Sequence, residues 1–503
     1  MRYTSTRDNN IDISSAEAII KGISEDNGLF VPKEIPQLPI NTLTADFYRQ
    51  KSDADRYSLL AAEIFELYFN DFDIDYLRES AQKAYSVSFE MSPAPLKYLG
   101  GPLCVLELFH GPTLAFKDMA LQVMPYLFVE AKRMLNDSSH TLILVATSGD
   151  TGTAALEGYR DIKGTNIFVY YPFNGVSDIQ RLQMCTQQGS NVYAVGIMGN
   201  FDDTQRAVKS IMTDRILAGE LNKSGIKLSS ANSINIARLI PQIVYYYSTY
   251  LTLCRDGKIA EGDKINFTVP SGNFGDILAG YYAMQMGLPI NKLICASNVN
   301  RVLTDFINTG EYNLKRDFFT SISPSMDILL SSNIERLIWN ITGRSDRGTA
   351  ELYSSLLETG RFCLTEAETG LLKESFTAYS CDDAETMNSI RSVYNSCGYV
   401  VDPHTAVAFG AYDKHISNTG DMTFNVIIAT ASPYKFCDSV LKALGADNGT
   451  DAGSFARLEQ LSKTVTPEPL KDIESKDVRF NESIPLGCEE AFIKRYIKTI
   501  KVT

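Results

Sequence analysis

Lys117 stands in the stretch FHGPTLAFKDMA, beside Phe116 and among small and apolar residues. A lysine ammonium is compact, strongly hydrated and normally kept at the surface. Placed in apolar company its pKa falls, and the amine can be neutral near pH 7. A neutral amine can form a Schiff base with an aldehyde. Three further stretches have the composition of anion-binding loops. In VPSGNFGDIL, residues 269–278, a strand runs into Gly272, Asn273, Phe274 and Gly275, and a helix follows from Asp276. Glycines let the backbone approach a ligand, and successive N–H groups at a helix start form an anion cup. The run is neither GxGxxG nor GxxxxGK[ST], so the dinucleotide and P-loop readings lack their fingerprints; a plain strand–turn–helix connection is the alternative. In VATSGDTGTAAL, residues 145–156, Thr147, Ser148 and Thr151 offer hydroxyls suited to a carboxylate. Asp150 in the same loop is also an acceptable helix cap. In SSANSINIARLIPQIVYYY, residues 229–247, Ser233 and Asn235 precede a helix carrying Arg238 and Gln242, and Asn235 and Arg238, three apart, share one face. One cation among amides and hydroxyls suits a phosphate or carboxylate, unless the stretch is simply a capped helix with a surface arginine.

A lysine that can be neutral, plus several polar loops, suggests a ligand with both an aldehyde and a phosphate. Pyridoxal phosphate combines the two and acts as an electron sink for carbanions.

The elements that must position these residues follow a clear rhythm. LCVLELF, HTLILVA, NIFVYYP, NVYAVGI, KINFTVP, KLICAS and NVIIATA read as short buried strands, most of them followed by an amphipathic helix. This alternation means βαβ units and parallel sheets covered on both faces, with ligands at the carboxyl ends of the strands. KDMALQVMPYLFVEAKRML reads as one helix kinked by Pro125. FDDTQRAVKSIMTDRIL reads as a single helix. The expected division is a mainly helical N-terminal domain over 1–95 and a large α/β domain over 96–136 and 229–445. Within it, 310–400 is a less regular helical insertion. A smaller α/β domain spans 137–228, and a peripheral C-terminal extension spans 446–503.

Composition removes other classes. The 503 residues carry a net charge of −13, so a broad basic face for nucleic acid is not expected. No apolar run reaches the ~18 residues of a membrane span, and no secretory signal is evident at the start. Nine dispersed cysteines without a CxxC pair read as reduced thiols of a cytoplasmic protein. Four histidines without HExxH give no metal site.

HGPTLAFKDMA resembles the cofactor-lysine segment of the threonine synthases, pyridoxal-phosphate enzymes of the tryptophan-synthase β fold type. YTSTR, DNGLFVP, TSGDTG, GNFDDTQ, NSINIAR, PSGNFGD, SPSMDILLSSNIERL, DPHTAVAF and TASPYKF resemble further segments of that family in the same order, over nearly the whole chain. The resemblance implies fold type II, with two three-layer parallel-sheet α/β domains, a helical N-terminal domain and a C-terminal extension. It implies Lys117 as the residue that holds the cofactor aldehyde, and Gly272, Asn273, Phe274 and Gly275, adjoined by Asp276, as the cradle of its phosphate. Thr430 matches the hydroxyl partner of the pyridine nitrogen. Thr147, Ser148 and Thr151, with Asp150 in their loop, are implied for the substrate carboxylate. Asp203 and Gln205 with Ser233, Asn235 and Arg238 are implied for the substrate phosphate. The implied substrate is O-phospho-L-homoserine and the implied product L-threonine. A phospho-lyase giving 2-oxobutyrate, ammonia and phosphate is the alternative; a non-catalytic metabolite sensor is disfavoured by the intact Lys117 and SGNFGD. The chain departs from the family at Ser432, where histidine is common, and His404 reads as structural. A monomer or small homo-oligomer is expected.

Overall fold

The computed structural model describes residues 1–49, 52–89, 92–446 and 453–497. Met91, in the turn-rich boundary stretch, and the remaining residues of the 446–503 extension lie outside them. Two sheets dominate. The larger has six strands in the order Phe376–Ser380, Ile290–Ser297, Ile265–Pro270, Asn425–Ala429, Leu103–Glu107 and Leu96–Gly100. Every neighbour pair is parallel except the last. The smaller has five parallel strands, Ser483–Pro485, Val192–Met198, Thr165–Pro172, His140–Ala146 and Ile226–Ser230. Ile265–Pro270 and Thr165–Pro172 are buried at every position, as strands covered on both faces must be. The helix Ile236–Arg255 links the sheets and is buried along most of its length, because Leu, Ile, Val and Tyr occupy nearly all its faces. Among the described residues no helix is long and apolar enough to cross a membrane.

The structure departs from the sequence reading in five places. The N-terminal region opens with an antiparallel sheet of Arg2–Ser5, Asp8–Ser14 and Phe30–Pro32, too short and polar to show a period of two. Pro125 starts a new helix, Met124–Met134, instead of kinking one that began at Asp118–Leu121; its missing N–H is harmless in a first turn. The expected helix from Phe201 ends at Thr213. Asp214 leaves helical geometry, and its carboxylate accepts from the amides of Ile216 and Leu217 to cap Arg215–Lys223. Phe376–Ser380, inside the 310–400 insertion, is an edge strand of the large sheet. The C-terminal extension enters the core: Ser483–Pro485 extends the small sheet, and Phe492 and Ile493 pack beneath it. A three-residue strand leaves no periodicity to read.

The helix Asp150–Gly158 meets Asp118–Leu121 so closely that a Cβ on Gly158 would lie 2.2 Å from the Leu121 carbonyl oxygen. An exposed helical glycine gains about 1 kcal/mol on replacement by alanine. Here backbone overlap reverses the sign. Gly158→Ala is expected to destabilise the protein by about 1–3 kcal/mol, seen as a lower chemical-denaturation midpoint.

Candidate active site

Lys117 is placed by a short pairing between two loops. The Phe116 amide donates to the Thr430 carbonyl at 2.8 Å, and the Ser432 amide donates to the Leu114 carbonyl at 3.0 Å. Leu114 takes a left-handed φ of 61°, which costs about 1–2 kcal/mol and persists because these bonds hold it. Asp118 braces the preceding turn. Its carboxylate accepts from the Thr113 amide and hydroxyl, both at 2.8 Å, and from Gln122 at 3.1 Å. Burial raises the Asp118 pKa to about 6, against the pull of those bonds. A Cβ at Gly111 would sit 2.6 Å from that of Asp118, so the turn and the acid require each other. The Lys117 ammonium lies 3.8 Å from the centre of the Phe116 ring. Loss of water lowers its pKa to about 7, and Arg238 adds to the shift, while Asp150 and Asp276 oppose it. Its remaining exposure is toward a cleft between the two sheets.

The glycine loop forms one wall of that cleft, with Ser271, Gly272, Asn273, Phe274, Gly275 and Asp276 all lining it. Phe274 is left-handed at φ 59°, and the helix Gly275–Gln285 starts without a side-chain cap. The loop carbonyls are held from behind. Ser331 donates to the Gly272 carbonyl at 2.9 Å, and the Asn333 amide and side chain donate to that of Asn273 at 3.2 and 3.0 Å. The backbone at Gly272 passes the Ser325 carbonyl so closely that a Cβ would lie 2.5 Å from it. Asp276 accepts from Tyr245 and Tyr246 at 2.6 and 2.9 Å through one oxygen; its other oxygen is buried without a partner. Burial raises its pKa to about 6.

Opposite lie Thr147, Ser148 and Thr151. The Thr147 hydroxyl accepts from the amides of Gly149 and Gly152 at 2.9 and 2.8 Å, which shapes the loop. Asp150 turns away, to Gln180 at 2.8 Å and Lys435 at 2.7 Å. Ser233 and Arg238 also line the cleft. Arg238 is 2% exposed; one nitrogen donates to the Ala231 carbonyl at 2.6 Å, and its Nε is buried without a partner. Among the described residues no carboxylate pairs with it, and desolvation lowers its pKa to about 10. Thr430 completes the lining, as does His404. The His404 Nε2 accepts from the Ser325 amide at 3.2 Å, so Nδ1 carries the proton donated to Asp402 at 2.7 Å.

Four expected site residues are absent from the cleft lining: Asp150, Asn235, Asp203 and Gln205. Asn235 caps its helix through the Ala237 amide and donates to the Ile19 carbonyl at 2.9 Å. Asp203 forms a capping box with Asn200 and pairs with Arg206. Gln205 lies on that same helix and outside the cleft lining. Ser432 caps Pro433–Phe436 and does not line the cleft either. Sequence reasoning assigned no role to Ser325, Ser331, Asn333, Asp402 or Lys435. All lie in segments that carry the family resemblance, but nothing local marks their partners.

An uncapped helix start, a glycine that admits no Cβ and a buried guanidinium with an unpartnered nitrogen suit anions; a lysine that can be neutral suits an aldehyde. Pyridoxal phosphate fits this set. Family models for the threonine synthase N terminus, for pyridoxal-phosphate dependent enzymes and for the threonine synthase C-terminal region match residues 2–85, 87–364 and 405–486. The chain is 38% identical to threonine synthase of Eremothecium gossypii, over 96% of this chain and 97% of that protein.

The chain belongs to the threonine synthase family.

It is therefore a pyridoxal-phosphate enzyme of fold type II. Its structure matches that of pyridoxal-phosphate-bound threonine synthase from Brucella melitensis with a TM-score of 0.85 and 34% identity, covering 99% of each chain. It is also 41% identical to threonine synthase-like 1 of Homo sapiens, over 85% of this chain but only 58% of that longer protein.

The depressed Lys117 pKa has a consequence for stability. An unfolded lysine holds its proton up to its ordinary value of 10.5, whereas the folded site releases it near 7. The folded state therefore binds fewer protons between these values, and the lysine's penalty is full below pH 7 and fades as pH rises toward 10.5. Lys117→Met is expected to stabilise the cofactor-free protein most below pH 7, with the advantage shrinking toward pH 10, in urea titrations across that range.

Proposed function

We propose that the chain converts O-phospho-L-homoserine and water to L-threonine and phosphate. The observation that carries this is Lys117 facing one cleft with two separate anion-ready walls, the 272–276 loop and the Arg238 wall beside Thr147–Thr151. One anion site serves the cofactor. The second, with its hydroxyl loop, suits a substrate that bears both a carboxylate and a phosphate.

Bound pyridoxal phosphate supplies an electron sink that stabilises negative charge at the substrate α carbon. The amides of Gly272–Gly275 would hold its phosphate, Thr430 would serve its ring nitrogen as a hydroxyl partner, and Lys117 would hold its aldehyde. A hydroxyl partner cannot give the ring a full proton, so the sink is milder than with a carboxylate there. Thr147, Ser148 and Thr151 bind the substrate carboxylate. Arg238 and Ser233 bind its phosphate; Asp203 and Asn235 remain in their capping positions, and Gln205 stays on the helix Phe201–Thr213 outside the cleft lining. The neutral Lys117 amine takes the α proton and then shuttles protons between the substrate carbons. A base near pKa 7 is well matched to that work at neutral pH. Loss of a β proton expels phosphate from the γ carbon, and water then adds at the β carbon.

A second reading stops before hydration and yields 2-oxobutyrate, ammonia and phosphate. The resemblance to threonine synthase-like 1 keeps it in view, while near-complete coverage of the threonine synthases favours the synthase. Both products are followed in one assay with phosphohomoserine. Wild type is expected to form threonine, and Lys117→Ala to form neither product; keto acid without threonine would transfer the assignment to the lyase. Arg238→Met removes charge-assisted hydrogen bonds and is expected to raise KM for phosphohomoserine about 10- to 100-fold, with cofactor content unchanged. Unaltered KM in that variant would take Arg238 out of the substrate site.

A further inference from the structure

Lys435 lies five residues after Thr430, in the short helical turn Pro433–Phe436, and is 0% exposed. Its ammonium donates to the Asp150 carboxylate at 2.7 Å and to the Thr113 carbonyl at 2.9 Å. Its own carbonyl accepts from the Ser177 hydroxyl at 3.0 Å. Asp150 is the first residue of the helix that follows the Thr147–Ser148 loop. Thr113 belongs to the turn that presents Lys117, and its carbonyl also receives Gln183 at 3.3 Å. Gln180, fully buried, holds the same Asp150 oxygen at 2.8 Å. Lys435 thus ties the large sheet's last loop to the lysine turn and to one small-sheet helix through its ammonium, and to the start of a second through its carbonyl.

We propose that Lys435 is the positioning residue that fixes the carboxylate-binding loop relative to the turn carrying Lys117. This rests on reading Thr147, Ser148 and Thr151 as the carboxylate site. A buried ion pair is weak evidence for stability, since apolar residues of similar volume often serve as well. What it adds is direction, because an ammonium and a carboxylate satisfy each other only in a narrow range of placements. Breaking the pair strands a charged Asp150 where no water reaches. Burial alone would raise the Asp150 pKa, yet the Lys435 charge and the Lys435 and Gln180 hydrogen bonds outweigh burial and hold it below the ordinary value. Without Lys435 the helix start must shift to find another donor. Thr147 shifts with it, because its hydroxyl is bound to the Gly152 amide within that helix.

The test uses the holoenzyme and its cofactor-free form, with Lys435→Met and Asp150→Asn. L-Threonine affinity is read from cofactor absorbance, turnover from phosphohomoserine kinetics, and loop order from hydrogen exchange over 111–117 and 147–158 without cofactor. Lys435→Met is expected to keep its cofactor, to bind L-threonine about tenfold more weakly, and to lose about 100-fold in kcat/KM, mainly through KM. Exchange should rise in both segments. Asp150→Asn should move every readout in the same direction by less, and it carries the test alone where Lys435→Met does not fold. A variant with lowered thermal stability but unchanged exchange, and with L-threonine affinity and kcat/KM within about threefold of wild type, overturns the proposal. Absence of phosphohomoserine turnover in wild type fails the proposed reaction only, because the exchange comparison does not depend on it.

Discussion

The site depends on keeping one amine out of water without giving it a carboxylate partner. Desolvation is the largest influence on Lys117, and the next is a second cation, Arg238, which pushes in the same direction. Asp150 and Asp276 pull the other way but are occupied, one by Lys435 and the other by two tyrosines. The nearby acids are thus bound to other partners, and the amine keeps a pKa at which it can act as nucleophile and as base. Much of the surrounding geometry serves this: the Asp118 brace, the left-handed Leu114, and the pairing of 114–116 with 430–432.

The same logic explains how an acidic chain prepares sites for anions. A net charge of −13 opposes phosphates at long range, but salt screens that field within about 10 Å. Inside the cleft a few buried groups decide. Arg238 faces the cleft, and Arg336, fully buried, donates to the Phe30 and Ile234 carbonyls and to Asn333. Asn333 in turn holds the Asn273 carbonyl, so a buried arginine supports the glycine loop from outside the cleft lining.

The fold was legible where the chain repeats its rhythm. Seven central strands showed as apolar runs bounded by turn residues, because strands buried on both faces need no polar positions. The three-residue strand Ser483–Pro485 and the N-terminal antiparallel sheet were not, since their pairing is long-range and their patterns are short. In the site, glycines and hydroxyls at strand ends stood out by type. The structure brings Lys117, Thr147, Ser148, Thr151, Ser233, Arg238, Gly272–Asp276 and Thr430 to one cleft. Asp203 and Asn235 have the composition of ligand contacts and the geometry of capping residues, and a short polar residue at a helix start gives the same signal in either role.

Ser432 shows how a departure from a family pattern is read in structure. Its amide donates to the Leu114 carbonyl, and its hydroxyl accepts from the Tyr434 amide at 3.4 Å. Both contacts hold backbone; one belongs to the pairing that places Lys117. Histidine at this position could keep the amide contact, since that bond is made by the main chain. It would lose the hydroxyl that caps the Tyr434 amide. The turn that Ser432 caps is the one from which Lys435 reaches Asp150, so the serine hydroxyl helps set the backbone that carries this ion pair.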